Sequence, residues 1–202
     1  MVHKTVILES IEDEQVEKMV SYMDENLQKK LVESLAAVAN LDFQIIDEPM
    51  PEEFESLVWI QTTGDKLFYR CKIYYNDDVA LKLYESARDI SGPKETLAIS
   101  YLKEMGNVGA GTIKKVFDSE SNLLSQMSIP LALKKKMEFK FAQTYVFHHS
   151  QSFSLSSESY KLYIKHELEI LDRPTAKTFY DFVLAKEANG EEESGGDDIE
   201  LF

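Results

Sequence analysis

Two β-rich runs that meet at a two-residue turn limit the fold of this chain more than any other feature. LVWIQTT and KLFYRCKIYY flank Gly64 and Asp65, a composition typical of a tight hairpin turn. A short hairpin joins antiparallel strands, whereas a parallel pair needs a long crossover connection. The sequence therefore predicts an antiparallel sheet rather than a doubly wound parallel one.

Helical patterns lie before and after this hairpin. Apolar residues at helical spacing predict one long helix from about Glu14 to Asn40, or two helices that meet near residues 24–26. Three further helices are predicted, over DDVALKLYESARD, residues 95–117 and TAKTFYDFVLAKEA. Four further strands are predicted, over VHKTVIL, FQIID, KMEFKFAQTYVFHH and SFSLSSESYKLYIKHELEIL. The segment SQMSIPLAL is predicted to cross between the two halves. This order contains two blocks of a helix followed by a hairpin, a duplication that sequence identity does not support. The predicted fold is α+β, with helices packed on a largely antiparallel sheet.

Charge and composition exclude several classes of function. The net charge of the 202 residues is −14, and no Lys/Arg cluster is paired with aromatic residues, so a nucleic acid is not an expected partner. No apolar run approaches the roughly 20 residues that a membrane span needs. Cys71 is the only cysteine, which excludes an internal disulfide and fits a reducing, cytoplasmic location. We expect one domain over residues 1–186 and a flexible acidic tail over residues 187–202.

The helix predicted over residues 95–117 carries the candidate chemistry. Ser100, Glu104 and Asn107 are three and four residues apart, so a hydroxyl, a carboxylate and an amide share one helical face. Helices usually keep glycine for their ends, which indicates that something other than local stability selected the three glycines of this segment, Gly106, Gly109 and Gly111. The alternative is that Asn107 ends a helix and that Glu104 is only a solvated charge.

Three other kinds of site fit the sequence less well. The segment from Gly106 to Thr112 has a threonine where a phosphate-binding loop needs lysine, and no strand immediately precedes it. His148, His149 and His166 include a neighbouring pair that would face opposite sides of a strand, without a metal-binding motif. A hydrolase triad lacks its G-x-S-x-G sequence. We therefore expect neither a metal nor a cofactor bound by this chain.

A longer pattern connects the helix to a proline beyond it. Ser100-x3-Glu104-x2-Asn107-x22-Pro130 resembles the signature D/S-x3-E-x2-N-x22-P of the CheC/CheX/FliY family of chemotaxis phosphatases. The run TTGDKLFYRCKIYYNDDVALKL is also similar to that family's second strand pair and following helix, so the resemblance covers about residues 20–180. The first half offers Glu33-Ser-Leu-Ala36 without an asparagine, which places the chain nearer the CheX branch. That branch implies a CheC-like α+β protomer with one site, which forms homodimers.

The resemblance also implies a reaction and its partner. The substrate would be the aspartyl phosphate of a CheY-type response regulator, and the regulator would supply the Mg²⁺. Asn107 would orient the attacking water, and Glu104 would engage a lysine of the regulator. The remaining residues would shape the site: Ser100 by capping or packing, Pro130 by shaping the crossing segment, and Gly106, Gly109 and Gly111 by admitting the regulator's backbone.

The acidic tail carries a separate prediction. Its apolar end, Ile199, Leu201 and Phe202, resembles the Phe-terminated peptide by which the unrelated phosphatase CheZ tethers its regulator. The alternative is a terminus that only keeps the protein soluble. Two rival functions also remain for the chain as a whole: a non-catalytic binding module for a regulator or flagellar-switch component, and a nucleotide or small-molecule enzyme built on the glycine segment.

Overall fold

Seven strands form one antiparallel sheet at the centre of the structure. The computed structural model describes residues 12–46, 48, 54–87, 93–121, 123–134, 144–157 and 160–189. In this part of the chain the strands are β1 (Gln44–Ile46), β2 (Ser56–Gly64), β3 (Leu67–Tyr75), β4 (Ser125–Met127), β5 (Leu131–Lys134), β6 (Phe147–Ser157) and β7 (Tyr160–Ile170). Their order across the sheet is β1-β6-β7-β3-β2-β4, and β5 also pairs with β2. The predicted α+β class and antiparallel sheet are confirmed.

The helices follow the apolar patterns of the sequence closely. They are α1 (Asp13–Tyr22), α2 (Gln28–Ala39), α3 (Asp77–Ala87), α4 (Lys94–Lys115) and α5 (Arg173–Asn189). A π-helical turn at Met23–Leu27 joins α1 to α2 without a break, so the long predicted helix is irregular where the sequence placed a junction. Asn40 ends α2 in the left-handed conformation, with φ of 51°. No described helix is long and apolar enough to cross a membrane.

Several predicted boundaries were wrong. The second hairpin turns between Ser157 and Tyr160, so β6 combines the end of one predicted strand with the start of the next. The segment SQMSIPLAL contains the two short strands β4 and β5 rather than a simple crossing. Helix α5 continues to Asn189, and Glu187 pairs with Lys18, so residues 187–189 belong to the folded part. The predicted strand VHKTVIL lies outside the described residues.

Each half of the chain contains a helix followed by a hairpin, as the element order predicted, and the two halves exchange their packing partners. Helix α4 of the second half packs on β2 and β3 of the first. The long first helix reaches β6 of the second half, where His149 Nε2 lies 2.7 Å from Asp24 Oδ1 and the Gln151 amide donates to Gln28 Oε1. The edge strands are exchanged in the same way, since β1 pairs with β6 and β4 and β5 pair with β2.

The two faces of the sheet bury different groups. Alternate residues of β3, including Tyr69 and Ile73, join the helices in the main apolar core. Intervening residues place two buried ion pairs on the opposite face, Arg70 with Glu169 at 2.8 Å and Lys72 with Glu167 at 2.9 Å. A smaller apolar cluster lies on that second face too, formed by Phe54, Leu57, Tyr74 and Tyr163. The described helices therefore pack on the sheet face that carries the main apolar core.

Candidate functional site

One exposed stripe runs along α4 and contains the predicted functional residues. Ser100, Glu104 and Asn107 are all exposed, while the neighbouring Met105 and Ala110 are fully buried. At about 100° per residue these three positions lie within about 60° of one another around the helix axis. The structure therefore brings the hydroxyl, carboxylate and amide to one solvent-facing surface, as the spacing predicted. Asn107 lies inside α4, so the alternative that it ends a helix is wrong.

The buried side of α4 is fixed against both the sheet and α2. A Cβ atom built at Gly106 would lie 2.8 Å from Ile60 Cδ1 on β2, and one built at Gly109 would lie 2.8 Å from Leu31 Cδ1 on α2. Such separations are shorter than normal carbon contacts of about 3.5–4.0 Å, so a larger residue at either position would force the Ile60 or Leu31 side chain to move. A hydrogen bond of 2.8 Å from the Ser34 hydroxyl to Thr112 Oγ1 adds a polar contact between the two helices. The close packing of α4 against β2 and α2 therefore holds the exposed stripe in a fixed position.

These contacts correct one prediction about the glycines. Gly106 and Gly109 are buried and face the protein's own core, so they do not meet a partner's backbone. Their role is to bring α4 close to β2 and α2. Gly111 differs because it lies on the same face of α4 as Asn107 and is only half-buried, with no described atom within 4 Å of a Cβ built there.

The Ser100 side chain forms a hydrogen bond within its own helix. Its hydroxyl donates a hydrogen bond of 3.0 Å to the backbone carbonyl of Thr96, four residues earlier. This back-bonding is common for serine inside helices and leaves the side chain lying along the helix surface. The geometry fits a residue that shapes the stripe rather than one that reacts.

Pro130 lies where the edge of the sheet changes register. Met127 of β4 pairs with Thr62 of β2, and Leu131 of β5 pairs with Trp59 of β2. The chain therefore advances four residues along the edge while β2 advances only three. This extra residue is a β-bulge, and proline suits it because it has no N–H to donate to the ladder. The bulge leaves Ile129 82% exposed beside Pro130. Pro130 therefore shapes the edge next to α4.

The sequence analysis missed the residues that tie this edge to the end of α4. Asp118, in the π-helical turn Val116–Glu120, accepts hydrogen bonds at Oδ1 from the Ser125 backbone N–H at 2.7 Å and from its hydroxyl at 2.8 Å. Ser128 exchanges two bonds with the Gln61 backbone, at 2.7 and 3.0 Å. The sequence signal for these residues was the presence of short polar side chains next to a strand and a proline. Which groups they bond to depends on the fold and could not be read from the sequence.

The histidines take structural positions. His149 is fully buried against Asp24, and His166 is fully buried with Nε2 2.6 Å from Gln151 Oε1. His148 faces the opposite side of the sheet, where burial lowers its pKa. Within the described ranges no group of three His, Cys, Asp or Glu residues could hold a metal ion. The apolar end of the tail, Ile199, Leu201 and Phe202, lies outside the described residues.

Comparison with solved structures shows that the protein has the fold of the CheC/CheX/FliY class of chemotaxis proteins. It matches CheX from Vibrio vulnificus with a TM-score of 0.55 and 15% identity, over 72% of this chain and 97% of that one. It matches a chain of the CheX–CheY–BeF3–Mg²⁺ complex from Borrelia burgdorferi with a TM-score of 0.51 and 10% identity, over 73% and 99% of the two chains. The match to Thermotoga maritima FliY has a TM-score of 0.54 and 11% identity, over 88% and 100%. No protein-family model matches the chain, and no curated protein matches its sequence.

Proposed function

We propose that this protein stimulates hydrolysis of the aspartyl phosphate of a CheY-type response regulator. The observation that carries the proposal is the exposure of Glu104 and Asn107 one turn apart on α4, while the helix is clamped from behind by its contacts with β2 and α2. Rigid presentation of polar groups is the main requirement for phosphoryl transfer, which depends on positioning and electrostatics. The fold shared with a CheX solved together with CheY supports the choice of partner.

The two side chains have different roles in this reaction. The Asn107 amide both donates and accepts hydrogen bonds, so it orients a water molecule in line with the phosphorus. Glu104, one turn earlier, pairs with a lysine of the regulator and fixes the docked orientation. The Mg²⁺ belongs to the regulator, where it neutralises charge on the phosphoryl oxygens. This protein then needs no metal or cofactor of its own.

Two further elements belong to the proposal. The protomer forms a homodimer, which a measurement of the protein's mass in solution tests.

The tail from residue 190 to Phe202 tethers the regulator through its apolar end, and tethering raises the local concentration of the partner without adding contacts at the site.

The decisive experiment mixes the protein with phosphorylated regulators from the same genome and follows loss of labelled acyl phosphate. Asn107→Ala should lower the stimulated rate about 100-fold, the range for losing a positioned polar group, while binding is retained. Glu104→Ala should weaken both binding and rate. The matched controls are Asn189→Ala and Glu17→Ala, which remove the same groups from exposed positions on α5 and α1. Full activity of Asn107→Ala would refute the catalytic role.

A second function is a binding module that holds a regulator or flagellar-switch component without catalysis. One observation favours it: the chain also matches a chain of the FliM–SpeE complex from H. pylori with a TM-score of 0.53 and 9% identity, over 88% of this chain and 98% of that one, and that structure holds two different proteins together. Binding of a phosphorylated regulator whose phosphate decays at its unassisted rate would select this function.

A further inference from the structure

Gly111 differs from the other two glycines of α4 in its surroundings. Close packing explains Gly106 and Gly109, because a Cβ at either would meet a core methyl group at 2.8 Å. A Cβ at Gly111 would meet nothing within 4 Å in the part of the chain that the structure describes. Glycine lowers the stability of a helix interior relative to alanine or glutamine. Gly111 therefore weakens α4 without any packing gain that the described residues account for.

The position of Gly111 relates it directly to Asn107. The two residues are four apart, so they lie about 6 Å from each other along the helix axis and about 40° apart around it. Side chains on a helix lean toward its N-terminus and cover the preceding turn. Any side chain at position 111 would consequently extend over the surface beside the Asn107 amide.

We propose that Gly111 is a positioning residue that keeps the space next to the Asn107 amide open for the partner's phosphorylated active site. This inference rests on the proposed phosphatase function. An attacking water must contact both the amide and the phosphorus, with reacting atoms about 3–3.5 Å apart. A side chain projecting beside Asn107 would hold the regulator's surface away from the helix, and the amide would lose contact with its water.

Two substitutions test the role of this gap. Gly111→Ala adds one methyl group, and Gly111→Gln adds a long polar chain, while both improve helix propensity. We expect the melting temperature to rise by about 2–4 °C in Gly111→Ala and not to fall in Gly111→Gln. Binding to the BeF3–Mg²⁺ form of the regulator on which the wild type acts should weaken at least 10-fold in Gly111→Gln, and the saturated dephosphorylation rate should fall at least 10-fold. Thr96→Gln, at an exposed position about three turns before Asn107, is the control and should change neither quantity.

The possible outcomes distinguish a failure of the Gly111 inference from a failure of the proposed phosphatase function. If Gly111→Gln binds and dephosphorylates the regulator like the wild type, the open space has no role and the inference alone is refuted. If the substitution lowers the melting temperature, the fold itself requires glycine at this position, and the inference is again refuted. If the wild type neither binds nor accelerates dephosphorylation of any regulator, the proposed function fails and the role of Gly111 fails with it.

Discussion

Glu167 gives a stability prediction whose size follows from its surroundings. Its carboxylate lies on β7, 2.9 Å from the Lys72 ammonium and 2.7 Å from that of Lys165, and the side chain is only 11% exposed. Burial by itself raises the pKa of this carboxyl, but the two lysines outweigh burial and lower the pKa from 4.5 to about 2. Over the interval between these values the unfolded chain binds a proton and the folded protein does not.

A lowered pKa in the folded state adds stability that is fully present above pH 4.5 and is lost as the pH falls toward 2. The difference between the two pKa values corresponds to about 3 kcal/mol at pH 7. About 1 kcal/mol of this contribution remains at pH 3, where the folded protein still keeps most of the carboxylate charged. Because the group is well buried, screening by solvent reduces this figure little.

Substitution of Glu167 by glutamine removes the charge and keeps the shape. Urea unfolding of the wild type and Glu167→Gln should show a free energy difference of about 3 kcal/mol at pH 7 that shrinks steadily as the pH is lowered to 3. Glu17→Gln, on the exposed side of α1, is the matched control and should show a small difference that does not vary with pH. A difference between wild type and Glu167→Gln that stays constant or grows on acidification would refute the reasoning.

Two further predictions concern packing and the tail. Gly109→Ala places a methyl group 2.8 Å from Leu31 Cδ1 and 3.2 Å from Leu35 Cδ2. Overpacking of about 1–3 kcal/mol should exceed the helix propensity gain of about 1 kcal/mol, so urea unfolding should show a net loss near 1 kcal/mol, and a gain in stability would contradict the close packing. Deletion of residues 190–202 should raise KM for the phosphorylated regulator and leave kcat unchanged, and no change in either constant would exclude a tether.

Local patterns predicted the helices and the longer strands in their order, but not the short strands β4 and β5. Gly64 and Asp65 predicted one hairpin, because two runs of β-forming residues so close together can pair only antiparallel. The hairpin is present, but its turn lies one residue further along, at Asp65 and Lys66, since β2 includes Gly64 and β3 begins at Leu67. The spacing of Ser100, Glu104 and Asn107 placed them on one face, since helical geometry alone determines which residues are neighbours on α4. The weaker predictions were at boundaries, as in β6, where alternation continues through both predicted strands and does not mark the turn.

The roles of the glycines show where sequence reasoning stopped. Gly106, Gly109 and Gly111 look equivalent in the sequence, and a common role in admitting a partner was a reasonable expectation. Two of them instead meet Ile60 and Leu31, residues 46 and 78 positions away in the chain. Contacts over such separations depend on how the helices cross the sheet, which the local pattern does not contain.

The sequence by itself determined the α+β class, the antiparallel hairpins and the shared face of Glu104 and Asn107, because each depends on residues close together in the chain. Only the tertiary structure decided which side of α4 is buried, because that depends on the exchange in which α4 packs on the hairpin of the other half. The same packing separates Gly111 from the buried glycines and leaves it half-exposed on the face of α4 that carries Asn107. Long-range burial, rather than helix propensity, therefore defines the candidate site.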